Sequence, residues 1–276
     1  MDFLAMRDDL GIFALGLIIA GVVGGLIAGM LGVGGGIVVV PVLYHVFAGL
    51  GFDETLRMHL AIGTSLATII PTSLSSLNAH AKRGAVDWAL LRNWAVPMIA
   101  GVVLGTLLAR MASGRTLALI FALVAIPVAI NMAFGKESWR LARALPQGVG
   151  GWTLAGAIGT ISTLMGIGGG TIGVPVMTLC NYPIHRAVAT AAGFGVIISI
   201  PAAIGLAVAG WGAHNLPPFS LGYVNLMGFI LIAPVSVLMA PVGASLAHMM
   251  DKNRLKLVFA AFIAITAARM LWDAVS

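Results

Sequence analysis

Apolar residues form long, nearly uninterrupted stretches along this chain, and polar residues collect between them. A run of about 20 apolar residues is the length that an α-helix needs to cross the hydrocarbon core of a bilayer. The pattern therefore predicts an all-α integral membrane protein. We expect ten segments, at residues 11–31, 37–51, 58–78, 89–111, 116–134, 151–167, 171–183, 187–210, 224–249 and 255–274.

The second and seventh segments are the shortest, and each follows a run of glycines. As helices they would reach only roughly 20 Å, less than the hydrocarbon core of about 30 Å. Backbone that breaks at membrane depth is tolerated where it is buried in protein or lines a watery cavity. We therefore expect half-helices or re-entrant arms at these two places.

The two short segments begin with related sequences. Residues 31–43 (LGVGGGIVVVPVL) are echoed by residues 165–177 (MGIGGGTIGVPVM). Further along, residues 84–87 (GAVD) are echoed by residues 222–225 (GYVN). A repeated glycine run that is followed at the same distance by a proline indicates a tandem duplication.

The duplication divides the chain into an N-terminal repeat of residues 1–147 and a C-terminal repeat of residues 148–276. Each repeat holds five segments, an odd number, so the second copy is expected to enter the membrane upside down. Inverted-topology repeats with interrupted helices are typical of secondary transporters, which bind substrate between the repeats near the bilayer midplane.

Composition agrees with a membrane protein, since 60% of the residues are hydrophobic, 9% are charged and the mean hydropathy is +1.05. Soluble domains are about 25% charged. We therefore expect the lipid bilayer as a partner and no nucleic acid. The single Cys180 permits no internal disulfide. The chain carries no recognisable catalytic, metal-binding or nucleotide-binding motif, so we expect neither an enzyme nor a metal or cofactor.

Basic residues set the expected orientation, because cytoplasmic loops of membrane proteins are enriched in Lys and Arg. They collect after segments three, five and nine, which lie on one side if every segment changes sides. That side is then the cytoplasm, and both termini are outside. The acidic start of the chain differs from a signal peptide, so we expect the first segment to be retained. The basic residues concerned are Lys82, Arg83, Lys136, Arg140, Arg143, Lys252, Arg254 and Lys256.

The glycine breaks are the first candidates for a substrate site. Glycine adopts left-handed backbone without a Cβ penalty, and the helix that follows each break begins with free N–H groups that favour an anion. In an inverted pair, two such helix ends would converge on one ligand. The alternative is that the glycines only allow close helix packing, as we expect for Gly21, Gly25 and Gly29. The candidate residues are Gly34, Gly35, Gly36, Gly168, Gly169, Gly170 and the adjoining Thr171.

Hydroxyl side chains are unusually dense in the third segment. Thr64 and Ser65 follow a glycine and align with residues 194–195 of the other half, so they are further substrate-binding candidates. The alternative is that such hydroxyls bond to carbonyls of their own helix. His80 and Arg83 border the predicted cytoplasmic mouth. They are candidates for gathering anions, or are ordinary residues of a basic loop.

None of the nine acidic residues lies deep in an apolar segment. Cation sites and most proton relays in membranes use intramembrane carboxylates, so the pattern favours an anion carried without a cation. His45 and His59 are the remaining candidates for a proton carrier. The alternative is that both are interfacial histidines at helix ends.

The glycine motifs, together with AIGTSLATIIPTSLSS, NAHAKRGAVDW and LGYVNL, resemble the TauE/SafE family of sulfite and sulfonate exporters. The resemblance implies two homologous halves in a prokaryotic plasma membrane and a small anion such as sulfite or sulfoacetate as substrate. We therefore predict a secondary transporter that exports a sulfur-containing anion. The alternatives are an anion channel of the same architecture, an importer of an anion such as thiosulfate, and a membrane subunit without transport of its own.

Overall fold

The chain folds almost entirely into α-helices. The computed structural model describes residues 3–31, 35–135, 140–249 and 252–275. Within them, a short antiparallel hairpin, β1 (Ser220–Leu221) and β2 (Val224–Asn225), joins the eighth and ninth helices. The ten helices are α1 (Phe3–Leu31), α2 (Gly36–Gly49), α3 (Glu54–Lys82), α4 (Trp88–Met111), α5 (Gly114–Phe134), α6 (Gly148–Met165), α7 (Gly170–Leu179), α8 (Ile184–Ala209), α9 (Leu226–Met249) and α10 (Lys252–Val275).

These helices confirm the predicted all-α membrane protein. Each of the ten apolar segments lies largely within one helix, and the two short segments are the shortest helices, with 14 residues in α2 and 10 in α7. In the described residues, α3, α4, α5, α8 and the first 18 residues of α9 are long and apolar enough to cross a membrane.

Side-chain caps fix where three of the long helices begin. The Asp53 carboxylate accepts the N–H of Thr55 at 2.9 Å before α3, and Asp87 accepts the N–H of Leu90 at 3.0 Å before α4. Ser113 caps α5 in the same way. Such caps satisfy N–H groups that the first turn leaves free. The two short helices differ, since the N-cap residue of α2 and of α7 is a glycine.

The largest helix contacts join the first five helices to the last five. Helix α1 packs along α9, α4 along α6, α3 along α8 and α5 along α10. The two parts of the chain are therefore interleaved and bury one common core.

Glycines allow the closest of these approaches. A Cβ atom on Gly21 of α1 would lie 3.0 Å from the Ile232 carbonyl oxygen of α9, and the next glycine of the GxxxG pair, Gly25, meets the carbonyl of Ser236. The hydroxyl of Ser236 donates to the Gly21 carbonyl at 3.0 Å. The packing role predicted for Gly21 and Gly25 is thus confirmed, because larger residues there would separate the two helices.

Helices α3 and α8 run antiparallel through the centre of the protein. Asp87, just beyond the end of α3, donates its N–H to the Thr190 hydroxyl in the second turn of α8 at 3.0 Å. Beyond the end of α8, Asn225 donates its N–H to the Thr64 hydroxyl of α3 at 2.9 Å. Each helix is thus tied to the segment that follows the other.

Three loops meet at one face of the protein. The Asp87 carboxylate accepts the Tyr182 hydroxyl at 2.6 Å and pairs with the Arg186 guanidinium at 3.3 Å. This joins the loop after α3 to the start of α8. The same face includes the loop before α6, and we call it the basic face. Its described arginines and lysines are Lys82, Arg83, Arg140, Arg143 and Arg186.

Helix α7 ends at the basic face, where α6 also begins. The N–H of Leu141 donates to the Leu179 carbonyl at 2.8 Å, and the Arg140 guanidinium donates to the Asn181 amide oxygen at 3.0 Å. Helix α6, the glycine break and α7 therefore form a hairpin that enters the protein and returns to the same face.

Candidate functional site

Both glycine breaks have left-handed backbone at the residue before the short helix. Gly35, the N-cap of α2, has φ 71°, and Gly169, the N-cap of α7, has φ 70°. Only glycine takes this conformation without a steric cost, so each break turns the chain sharply into its short helix. Of the predicted glycines, Gly34 lies outside the described residues.

The two breaks contact each other inside the protein. A Cβ atom on Gly36 would lie 2.8 Å from the carbonyl oxygen of Gly166 and 3.0 Å from Cα of Ile167. The glycines of both breaks that the structure describes are buried. Folding thus places the N-terminus of α2 against the C-terminal end of α6, a few residues before α7 begins.

The side chain of Ile69, from α3, lies between the two breaks. Its Cδ1 is 2.8 Å from the position of a Cβ on Gly36, and its Cγ2 is 2.9 Å from the position of a Cβ on Gly168. Ile69 is fully buried. The two helix ends are therefore separated by an apolar side chain in this structure.

Thr64 and Ser65 lie in different surroundings. The Ser65 hydroxyl donates to the Gly166 carbonyl at 2.8 Å, so Ser65 lies at the second break and holds its backbone. Thr64 accepts from Asn225 instead, at the β-hairpin before α9. The structure thus brings Ser65 to the predicted site and directs the Thr64 hydroxyl toward another contact.

The N-terminus of α7 offers free hydrogen-bond donors. The N–H of Gly170 donates to the Gly168 carbonyl at 2.8 Å, and that of Gly173 to the Gly169 carbonyl at 2.7 Å. Within the described part of the chain, the N–H groups of Thr171 and Ile172 have no acceptor. Free N–H groups and the positive end of a helix favour an anion.

Three buried hydroxyl groups near the second break have no hydrogen-bond partner in the described part of the chain. They belong to Thr171 and to two residues that sequence reasoning missed, Ser162 and Ser199. Ser162 is in the last turn of α6, where its carbonyl accepts the N–H of Ile167 at 2.9 Å. Ser199 follows Ile198, whose Cδ1 is 2.6 Å from a Cβ position on the N-cap glycine of α7. A serine in an apolar helix usually bonds to a carbonyl of its own helix, so no sequence pattern distinguishes these two.

The two candidate proton carriers lie away from the breaks. The Nδ1 and Nε2 atoms of buried His59 lie 3.2 Å from the Thr55 carbonyl oxygen and 3.0 Å from the Ala109 carbonyl oxygen, and its ring packs on Tyr223. His45 lines a mainly apolar cavity of about 420 Å³ between α1, α2 and α10, and its Nε2 is buried without a partner in the described residues. Neither histidine joins the glycine site.

His80 and Arg83 lie at the basic face, at the end of α3. The His80 carbonyl accepts the N–H groups of Arg83 and Ala85, both at 3.2 Å, in the turn that ends the helix. Arg83 is exposed and His80 is half-buried. The structure places both at an outer surface of the protein, away from the breaks.

Similar proteins are known in several prokaryotes. A probable membrane transporter protein of Haemophilus influenzae is 30% identical over 94% of this chain and 98% of its own length. A probable membrane transporter protein of Methanocaldococcus jannaschii is 27% identical over 92% of this chain and 94% of its own length. No solved structure matches the chain.

A protein family matches nearly the whole described sequence, including both glycine breaks. The sulfite exporter family TauE/SafE matches residues 17–270. With its apolar helices and its transporter relatives, the protein is a multi-pass membrane protein, and it belongs to the TauE/SafE family of membrane transporters.

Proposed function

We propose that the protein is a secondary transporter that exports a small sulfur-containing anion, such as sulfite, sulfoacetate or a related organosulfonate. The contact between the two glycine breaks carries this proposal, because it gathers two helix N-termini in one buried place. Helix N-termini bind anions through free N–H groups and the helix dipole. Membership of a sulfite exporter family supports the sulfur-containing substrate.

We further propose that residues 1–147 and 148–276 are inverted repeats. The helix pairing supports this, because corresponding helices pair in corresponding ways. The counterparts of α1 and α9 are α6 and α4, and both pairs pack closely in the structure. The antiparallel course of α3 and α8, which would be counterparts, is a second support. Inverted halves provide two alternating arrangements around one site.

In this proposal the basic face is cytoplasmic and both termini are outside, in a prokaryotic plasma membrane. The excess of Lys and Arg at that face supports the orientation through the positive-inside rule. His80 and Arg83 then border the cytoplasmic entrance and attract anions to it.

The substrate would bind between the halves, in contact with the glycine breaks and the hydroxyls beside them. Ile69 occupies this place and would move to admit the anion. The residues proposed to line the site are Gly34, Gly35, Gly36, Thr64, Ser65, Gly168, Gly169, Gly170 and Thr171.

Export of an anion needs no coupling ion in this scheme. With a negative cytoplasm, each elementary charge that leaves gains about 2.3 kcal/mol per 100 mV. A proton-coupled cycle is the alternative, with His45 or His59 as the proton carrier. The ring nitrogens of His59 face the carbonyl oxygens of Thr55 and Ala109.

Flux through purified protein in liposomes tests the proposal. Labelled sulfite and sulfoacetate should leave loaded liposomes with saturable kinetics and should show counterflow, which a channel does not. The break region is buried, which supports an occluded transporter over an open channel. Absence of flux for both anions would contradict the proposal, flux without saturation would favour a channel, and preferred uptake of thiosulfate would favour an importer.

A further inference from the structure

The three buried hydroxyls near the second break have no counterpart in the first half. The echoed glycine motifs align the ends of α1 and α2 with those of α6 and α7, and Pro71 aligns with Pro201 in the third helix of each half. In this alignment, Ser162, Thr171 and Ser199 correspond to apolar residues. These are Ala28, Ile37 and Ile69.

Neighbouring threonines show how hydroxyls in these helices are normally satisfied. Thr163, next to Ser162 in α6, donates to the Gly159 carbonyl at 2.8 Å. Thr178, in α7, donates to the Val174 carbonyl at 3.0 Å. A buried hydroxyl without such a partner destabilises the folded protein, so three of them on the helices that meet at the start of α7 point to a ligand that completes their hydrogen bonds.

The helix N-terminus and the hydroxyls are complementary. The free N–H groups of Thr171 and Ile172 belong to the first turn of α7, and the three hydroxyls are on the elements that meet at this turn. Thr171, Ser162 and Ser199 are at most 3% exposed. Water is thereby kept from the donors, and hydrogen bonds to a charged group are stronger in such surroundings.

We propose that the second half alone donates hydrogen bonds to the charged group of the substrate, through the hydroxyls of Ser162, Thr171 and Ser199 and the free N–H groups that begin α7. The first half contributes apolar contact, chiefly from Ile69, which separates the anion from the N-terminus of α2. That helix end then acts on the anion only through its dipole. This inference rests on the proposed anion transport and deepens it, because it assigns unequal tasks to two repeats of similar sequence.

A site with hydrogen-bond donors on one side only favours an anion whose oxygens all lie on one side. A sulfonate carries its three oxygens on one face of the sulfur atom and a carbon group on the other, so its oxygens would face α7 and its carbon group Ile69. Sulfate has oxygens on all sides, and one of them would be turned toward apolar side chains and lose its hydrogen bonds. The site should therefore prefer an alkanesulfonate to sulfate.

Binding of ethanesulfonate to the purified full-length protein, measured by calorimetry, tests the assignment. Ser162→Ala, Thr171→Val and Ser199→Ala each remove one hydroxyl and little volume. Since hydrogen bonds to charged groups are the stronger class, each substitution should weaken binding about tenfold. Sulfate should bind the wild-type protein at least about tenfold more weakly than ethanesulfonate.

Three control variants separate ligand binding from effects on the fold. Thr163→Val and Thr178→Val remove hydroxyls that already have a carbonyl partner in the same helices. Thr106→Val removes a buried unpartnered hydroxyl of α4 that lies beside Gly205, away from the break. All three controls should keep wild-type affinity. Without ligand, the three test variants should be at least as thermally stable as wild type, because they remove an unpaired buried group.

The outcomes distinguish this inference from the proposed function. Wild-type affinity in all three test variants, equal losses in test and control variants, or no binding of ethanesulfonate would each overturn the one-sided site. In any of these cases, liposome flux of sulfite or sulfoacetate would still support transport. Absence of that flux, in contrast, would reject the proposed function itself.

Discussion

Valine at Gly169 is the substitution for which the structure gives the clearest expectation. Gly169 has φ 70°, and left-handed helical backbone costs an L-residue about 1–2 kcal/mol. A Cβ there would also lie 2.6 Å from Cδ1 of Ile198 and 3.1 Å from Cβ of Phe194. Overpacking of this kind costs about 1–3 kcal/mol. We therefore expect Gly169→Val to lower the free energy of unfolding by about 2–5 kcal/mol and to abolish transport.

Gly84→Val is a matched control for the backbone contribution. Gly84 has φ 65°, also in the left-handed region, but a Cβ there would meet no atom within 4 Å. Its valine variant should lose only the backbone part, about 1–2 kcal/mol, and should keep transport. The difference between the two variants then measures packing at the break separately from backbone strain.

The assay combines thermal unfolding in detergent, followed by tryptophan fluorescence, with efflux of labelled sulfite from liposomes. Efflux is scaled to the amount of folded protein in each preparation, so that poor folding is not counted as lost transport. Wild-type efflux from a folded Gly169→Val protein would refute the reasoning and make the breaks packing features only. Equal loss of scaled efflux in both variants would attribute the effect to valine at a left-handed position and not to packing at the break.

Three other predictions follow from the described contacts. Burial alone would raise the pKa of Asp87, but hydrogen bonds from Tyr182 and the backbone, with the Arg186 charge, hold that pKa below its usual value. The ionised Asp87 should therefore stabilise the folded protein fully above about pH 4. This stabilisation should be lost as the pH falls through the pKa of Asp87 in the folded protein. As the pH is lowered from 5 to 3, the melting temperature should therefore fall more in wild type than in Asp87→Asn. Single cysteines at positions 83, 140 and 253, in a variant without native cysteine, should resist membrane-impermeant reagents in intact cells, and labelling there would invalidate the proposed orientation. An interior-negative potential should speed efflux, within about 2.3 kcal/mol per charge per 100 mV; efflux that follows only the pH gradient, and loses this dependence in His45→Gln or His59→Gln, would replace uniport with proton coupling.

The sequence by itself determined the helices and the places where they break. Apolar runs specify helices in a membrane, because only a helix satisfies every backbone group within one segment. The sequence near each break also explains the left-handed backbone at Gly35 and Gly169. A run of glycines within an apolar stretch lets the backbone turn sharply there, because glycine has no Cβ. The echo of the two motifs was likewise visible without coordinates.

The tertiary structure decided which of the candidate residues meet. Thr64 and Ser65 are adjacent in the sequence, yet their hydroxyls contact opposite parts of the second half. The insertion of Ile69 between the breaks and the missing partners of Ser162 and Ser199 depend on how α3, α6 and α8 pack around the second break. A pattern along the chain reports what one segment requires of its own backbone, whereas a hydroxyl is bonded or unpaired according to which distant segment packs against it.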